Sequence, residues 1–352
     1  SPIKTMLFTS TLIALYLILN FLIWQQGIVI FLASPLLLIM MIFVVHMSWG
    51  FVAENNTKNT VKKLFGQYVP PGLVDEMVNK PEWITQEGQS RELTVLFADI
   101  RGFTAISESL SPQALSELLN LVLTPLTKVI YDERGTIDKY IGDCIMSFWG
   151  APLPNSNHAE QGVSAALKML EKVKQLQSNF SERGWPAINI GIGLNTGVMS
   201  VGNMGSEYRM AYTVLGDAVN LGARVEGLTK QYGVALIVTE FTQQAAPNFI
   251  YRKLDRVKVK GKNEAVTIYE VVNFIGAVST TLIEEVRQFH LAYEYYCQQK
   301  WDDAAAILNR LVNQKQSETN NVLYQLYLQR IKNYKLSPPD KNWHGVYSHQ
   351  TK

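Results

Sequence analysis

Only two cysteines, Cys144 and Cys297, occur in 352 residues, and they stand far apart. That is too few for a disulfide framework and fits a reducing compartment. The five histidines, His46, His158, His290, His344 and His349, show no metal-ligand spacing, so a zinc site is not expected. Neither sign of charge is in excess: 32 basic and 30 acidic residues leave +2. This balance gives no electrostatic basis for nucleic-acid binding. No GxxxxGKS or GxxxxGKT loop occurs, which excludes a P-loop. Gly191–Gly197 (GIGLNTG) has spaced glycines, but the third is misplaced for a dinucleotide fingerprint, so a strand and turn is expected there. The chain starts at Ser1 rather than Met, which reads as a piece of a longer protein.

What the chain does have is a concentration of apolar sequence before residue 50. Met6–Trp24 and Ile28–Trp49 carry no Asp, Glu, Lys or Arg. About 20 apolar residues span a hydrocarbon core roughly 30 Å thick. The two runs predict a transmembrane hairpin that places residues 6–49 in a lipid bilayer, with Pro35 tolerated inside the second span. Gln25-Gln26-Gly27 forms the turn. Lys4 precedes the pair, and Lys58, Lys62 and Lys63 follow it. By the positive-inside rule both ends face the cytoplasm, as in a multi-pass protein of the cell (inner) membrane.

Past the hairpin (1–53), residues 54–90 read as a linker. Val61, Leu64, Phe65 and Tyr68 recur at helical spacing until Pro70-Pro71-Gly72 breaks the run. Leu73, Val74, Met77 and Val78 then form the apolar face of a second short helix. This segment is either a spacer or a coupling helix that carries membrane-side motion onward.

A soluble domain is expected over 91–274. Glu92–Asp99 (ELTVLFAD) is a buried-strand pattern ending in a carboxylate. Ser111-Pro112 caps a helix whose buried stripe is Leu115, Leu118, Leu119, Val122, Leu126 and Val129. Gly135–Gly150 reads as a hairpin with Gly142-Asp143 at its turn. A helix over about 158–180, strands near 188–194 and 198–203, a short strand 212–215, a helix 216–232 and strands near 235–238, 251–255 and 266–271 complete the domain. Tyr208, Met210 and Tyr212 fit a strand face, and Cys144 fits a core position. This order predicts an α+β sandwich with helices covering a mainly antiparallel sheet. Asp99 after a strand and Asp143 in a turn are candidate magnesium ligands, because that ion takes one or two carboxylates plus substrate phosphates.

Three blocks, FADIRGFT (Phe97–Thr104), KYIGDCIMSFWG (Lys139–Gly150) and TVLGDAVNLGARVEG (Thr213–Gly227), resemble the signature blocks of class III nucleotidyl cyclases, in the family order. The resemblance covers about residues 92–272 and implies a ferredoxin-like sheet with covering helices. LFGQYVPP, before the domain, resembles the linker of bacterial members that carry a CHASE2 sensor. That sensor would lie in a missing N-terminal portion.

The resemblance implies the following roles. Asp99 and Asp143, with the Ile100 backbone carbonyl, would hold two Mg2+ ions per site, which Mn2+ can replace. Asn220 would orient the ribose, and Arg224 would stabilise charge on the α-phosphate. Lys260, between Lys258 and Lys262 in VKVKGK, would bind the triphosphate. Lys139 and Thr213 would choose the base, where guanylyl cyclases typically carry Glu and Cys. An ammonium donates to adenine N1 and a hydroxyl accepts from N6, which favours ATP and the product cyclic AMP. The resemblance further implies a homodimer. One chain supplies Asp99 and Asp143 to each site; its partner supplies Lys139, Thr213, Asn220, Arg224 and Lys260. Guanylyl or mixed purine cyclase activity, and a catalytically silent dimeric transducer, are the alternatives. Thr213 also resembles the subgroup associated with bicarbonate stimulation.

Residues 275–352 contain helical patterns over about 280–315 and 320–334. They look like a TPR-like unit, either a cap on the catalytic core or a peptide-binding module.

Overall fold

The computed structural model describes residues 2–29, 31–66, 68–79, 88–258, 264–313, 320–340 and 343–348. The chain divides into two compact units. The first contains α1 (Pro2–Trp24) and α2 (Ala33–Phe65). Thr5–Trp24 is long and apolar enough to cross a membrane. The second apolar stretch, Ala33–Trp49, is shorter, because the helix starts at Ala33 and not at Ile28. Pro35 therefore lies in the first turn of α2, where a missing N–H leaves no intrahelical bond unmade. The Tyr16 hydroxyl donates to the Phe31 carbonyl at 2.8 Å, which ties α1 to the segment entering α2. The linker helix anticipated near Val61–Phe65 is the end of α2 itself. α3 (Pro71–Asn79) opens on Pro71.

The second unit is built on a nine-stranded sheet. Its strands are β1 (Gln89–Ile100), β2 (Thr136–Ile141), β3 (Cys144–Trp149), β4 (Ile190–Ser206), β5 (Arg209–Leu215), β6 (Leu236–Thr239), β7 (Phe249–Lys258), β8 (Val266–Phe274) and β9 (Val346–Ser348). The order is β2-β3-β1-β4-β6-β8-β7-β9, with β5 paired to β4. Among the described residues the parallel pairs are β4–β6 and β7–β9, and the others are antiparallel. The main helices are α5 (Pro112–Asp132), α6 (His158–Gln175) and α8 (Asp217–Tyr232); α4 (Phe103–Ser109), α7 (Gln177–Glu182) and α9 (Glu240–Ala245) are short. β1 is buried continuously from Leu93 to Ala98, as a strand covered on both faces must be. Leu96, Ala98 and Ile100 join a core with Leu118, Val122 and Val163 from α5 and α6. Val95 and Phe97 face Gly222 of α8.

Several local expectations change. The strand–turn–strand anticipated over 188–203 is one strand, β4, running straight through Asn195-Thr196-Gly197. Residues 158–180 form two helices that meet at Leu176. Tyr208 lies in the β4–β5 turn instead of on a strand face, and Cys144 is half-buried.

Three more helices follow: α10 (Thr280–Cys297), α11 (Trp301–Asn313) and α12 (Asn320–Leu336). Phe289, Leu308 and Tyr327 from them share a core with Val225 of α8 and Leu254 of β7. They cover the sheet as a cap, and β9 adds a strand beyond β7 that periodicity had not suggested.

Candidate active site

Asp99 ends β1 and Asp143 occupies the β2–β3 turn. Gly142, with φ of 66°, makes that turn possible, since φ > 0 is costly for a residue with Cβ. The Ile100 N–H donates to Asp143 Oδ2 at 3.1 Å and fixes the turn against the strand end. Burial, then the Asp143 charge and a hydrogen bond between the two carboxyls, push Asp99 up to about 6. Two carboxylates this close resist being charged together unless a cation joins them.

A third acid, Glu226 of α8, was not singled out from the sequence. Burial first, then Asp99, push it up to about 7, with Arg101 opposing. A Cβ at Gly191, the β4 partner of Asp99, would meet Glu226 Oε1 at 2.9 Å. The signal was present, two residues after Arg224 and opposite a glycine-spaced strand, but only the helix–sheet packing shows that it points at the aspartates. Among the described residues no group of three or more His, Cys, Asp and Glu side chains forms a metal cage. Asp99 and Asp143 are hard oxygen donors side by side, a chemistry that fits a hard dication keeping ligand positions for substrate oxygens.

A second cluster lies where β2 meets β5. Lys139 Nζ donates to Thr213 Oγ1 at 3.4 Å. The two predicted base-choosing residues thus meet within one protomer. Asp138, absent from the sequence-based set, stands between them: its Oδ2 accepts from Thr213 Oγ1 at 2.6 Å and from the Val214 N–H at 3.2 Å.

On α8, Asn220 and Arg224 are one turn apart and share a face. Asn220 is exposed; Arg224 is half-buried, and its Nη1 is buried without a hydrogen-bond partner among the described residues. An orphaned guanidinium nitrogen fits a site that receives an anion from outside the protomer. No hydrogen bond or ion pair among the described residues joins the Asp99–Asp143 pair to the Lys139–Thr213 pair. Lys260 lies outside the described residues.

Paired acids at a strand end and turn, a separate cluster around Lys139 and Thr213, and an α+β sandwich with a mainly antiparallel sheet are the features of a catalytic domain. The chain belongs to the adenylate and guanylate cyclase catalytic domain family, whose model matches residues 85–273. It is 36% identical over 232 residues to an adenylate cyclase of Anabaena cylindrica, a match that covers 62% of this chain and 45% of that protein. It is similar to the crystal structure of the adenylyl cyclase CyaB from P. aeruginosa (TM-score 0.51, 35% identity, 55% of this chain and 100% of that one). It is also similar to that of the guanylyl cyclase Cya2 (TM-score 0.51, 32% identity, 55% and 97%). The chain spans less than half the length of the bacterial adenylate cyclases it matches.

Proposed function

We propose that this protein converts ATP to 3′,5′-cyclic AMP and pyrophosphate, as a homodimer held at a membrane. The observation that carries the choice of base is the meeting of Lys139 with Thr213, a donor beside an acceptor. These complement N1 and N6 of adenine, whereas guanine presents a donor and an acceptor in the reverse order.

The residues divide the work. Asp99 and Asp143 would hold two magnesium ions, with Glu226 lowering the local potential further. When bound, the metal pair supplies charge neutralisation at the triphosphate and activation of the ribose 3′-hydroxyl. Asn220 holds the ribose so that the 3′-oxygen lies in line with the α-phosphorus, and orientation of this kind removes much of the entropic barrier. Arg224 meets the charge that grows on the α-phosphate as pyrophosphate leaves. Lys260 holds the outgoing triphosphate end. The purine set and the carboxylate set of one chain face opposite sites of the dimer, which explains why Arg224 keeps a buried nitrogen without a partner.

Thr5–Trp24 crosses the bilayer, and the shorter apolar stretch 33–49 returns, leaving the catalytic unit cytoplasmic. The Tyr68 carbonyl accepts from the Ile137 N–H at 2.8 Å. The segment before α3 is thereby tied to β2, the strand that carries Lys139. This is a route by which an N-terminal sensor, of the CHASE2 type, moves the base-choosing residues.

The test is an assay of the purified chain with ATP and with GTP under Mg2+ or Mn2+. Cyclic AMP from ATP is expected; activity confined to GTP, or none with either, refutes the reading. Mixing an Asp99→Ala chain with an Arg224→Ala chain should restore one good site per mixed dimer. No recovery contradicts the shared site.

A further inference from the structure

Thr213 has one proton and two lone pairs, so its partners decide what it offers a base. Its proton goes to Asp138 Oδ2 at 2.6 Å, while Lys139 Nζ approaches its oxygen at 3.4 Å. Asp138 Oδ1 also lies 3.1 Å from Lys139 Nζ, and the Asp138 side chain is fully buried. The carboxylate reaches this place because of a β-bulge. Ile137 pairs with Ser147 and Lys139 with Met146, so Asp138 is the extra residue. A bulge re-aims a side chain that strict alternation would place elsewhere. The Val214 N–H donates to the same Oδ2 at 3.2 Å, which fixes the carboxylate along β5.

We propose that Asp138 is a specificity-positioning residue: by taking the Thr213 proton, it leaves Thr213 able only to accept, and so selects a 6-amino purine over a 6-oxo purine. The inference rests on the ATP reading above. An acceptor-only oxygen pairs with the adenine N6 amino group. Against guanine it sets a lone pair facing O6, and a polar site rejects a base that leaves its groups unpaired. A threonine released from Asp138 rotates its hydroxyl and donates to O6. The base-choosing unit is then three residues, with the buried aspartate setting the hydrogen-bond sense of the other two.

The experiment measures kcat/KM for ATP and GTP on single preparations of the full chain, so that any unfolded fraction cancels in the ratio. Asp138→Ala should lower the ATP:GTP ratio at least tenfold. Asp138→Asn retains an oxygen that can accept from Thr213 and Val214, and should keep the ratio within about threefold of the parent. In a Thr213→Val background, Asp138→Ala should change the ratio no further, because the hydroxyl it orients is gone. If Asp138→Ala turns over too slowly, the same ratio is read from binding of 3′-deoxy-ATP and 3′-deoxy-GTP, which cannot cyclise. A ratio within twofold of the parent in Asp138→Ala overturns the proposal. So does an equal fall in Asp138→Asn, or an undiminished effect without the Thr213 hydroxyl. A parent protein that prefers GTP strikes the substrate reading itself, before any variant is made.

Discussion

Arg330 of α12 and Asp255 of β7 form an ion pair at 2.6 Å with both side chains buried. The Tyr232 hydroxyl donates to the same Asp255 oxygen at 2.6 Å, and the Arg256 N–H donates to the other at 2.8 Å. Tyr347 of β9 lies with its ring centroid 3.6 Å from the guanidinium. One buried charge pair therefore ties α8, β7, β9 and α12 together. Removing one member strands the other charge out of water, a loss of about 3–5 kcal/mol. Arg330→Ala should lower the melting temperature accordingly, by calorimetry or circular dichroism. The double change Arg330→Met with Asp255→Leu should recover only part of the loss, because Tyr232 and the Arg256 N–H also lose their acceptor. A single variant as stable as the parent would mean the cap is not anchored here.

The carboxylate cluster predicts a pH dependence of opposite sense to the usual acid lability. Asp99 at about 6 and Glu226 at about 7 lie above the ordinary values of 3.8 and 4.5. The fold favours their protonated forms. Their contribution to stability is complete below about pH 4 and is lost as pH rises through 6 and 7. In metal-free buffer the domain should lose stability from this cluster between about pH 4 and 7, and added Mg2+ should restore it most at the upper end. Asp143→Asn removes a like charge from Asp99. It should raise the metal-free melting temperature at pH 8 by about 2–4 °C, while abolishing activity. A melting temperature that stays level or falls in this variant would show that the repulsion is absent.

Asp99 at a strand end, Asp143 in a turn, the capped helix at Ser111 and the Leu118, Val122 and Leu126 part of the α5 stripe were legible because each is a local pattern. Ser111 Oγ accepts from the Ala114 N–H at 3.2 Å, the bond its sequence position implies. The pairing of Lys139 with Thr213 was suggested only by the three-block resemblance, since the two are 74 residues apart. Asp138 and Glu226 were not legible. One depends on a bulge that breaks alternation, the other on how closely α8 approaches β4. The turn expected at Gly197 failed because glycine also serves where a helix presses on a strand, and β4 needs its glycines for that contact. β9 is three residues long, too short to show a period.

That contact gives a packing prediction. A Cβ at Gly193 would stand 2.2 Å from the Glu226 backbone nitrogen and 2.5 Å from its Cα, a collision with backbone that cannot rotate away. At Gly197 the nearest atom is the Ala218 Cβ at 3.2 Å. Gly193→Ala should therefore cost about 3 kcal/mol, the upper end for overpacking, and displace α8 with its Asn220 and Arg224. Gly197→Ala should cost less than half as much. Denaturant titration of the two proteins measures the difference, and equal effects would remove the close approach as the cause.

Arg224 Nη1 is buried with no hydrogen-bond partner among the described residues, so the side chain carries a desolvation cost that a phosphate would offset in the proposed reaction. An interaction made mainly as charge grows on the α-phosphate lowers kcat when removed and leaves KM nearly unchanged. Arg224→Ala should reduce kcat about 10²–10³-fold. Arg224→Lys should recover only part of this, because an ammonium lacks the planar fork. Thermal stability should hold or rise, since the variant frees the fold of an unpaired buried donor. A variant that instead raises KM by the same factor, with kcat preserved, would assign Arg224 to ground-state binding of the triphosphate and move the transition-state role elsewhere on α8.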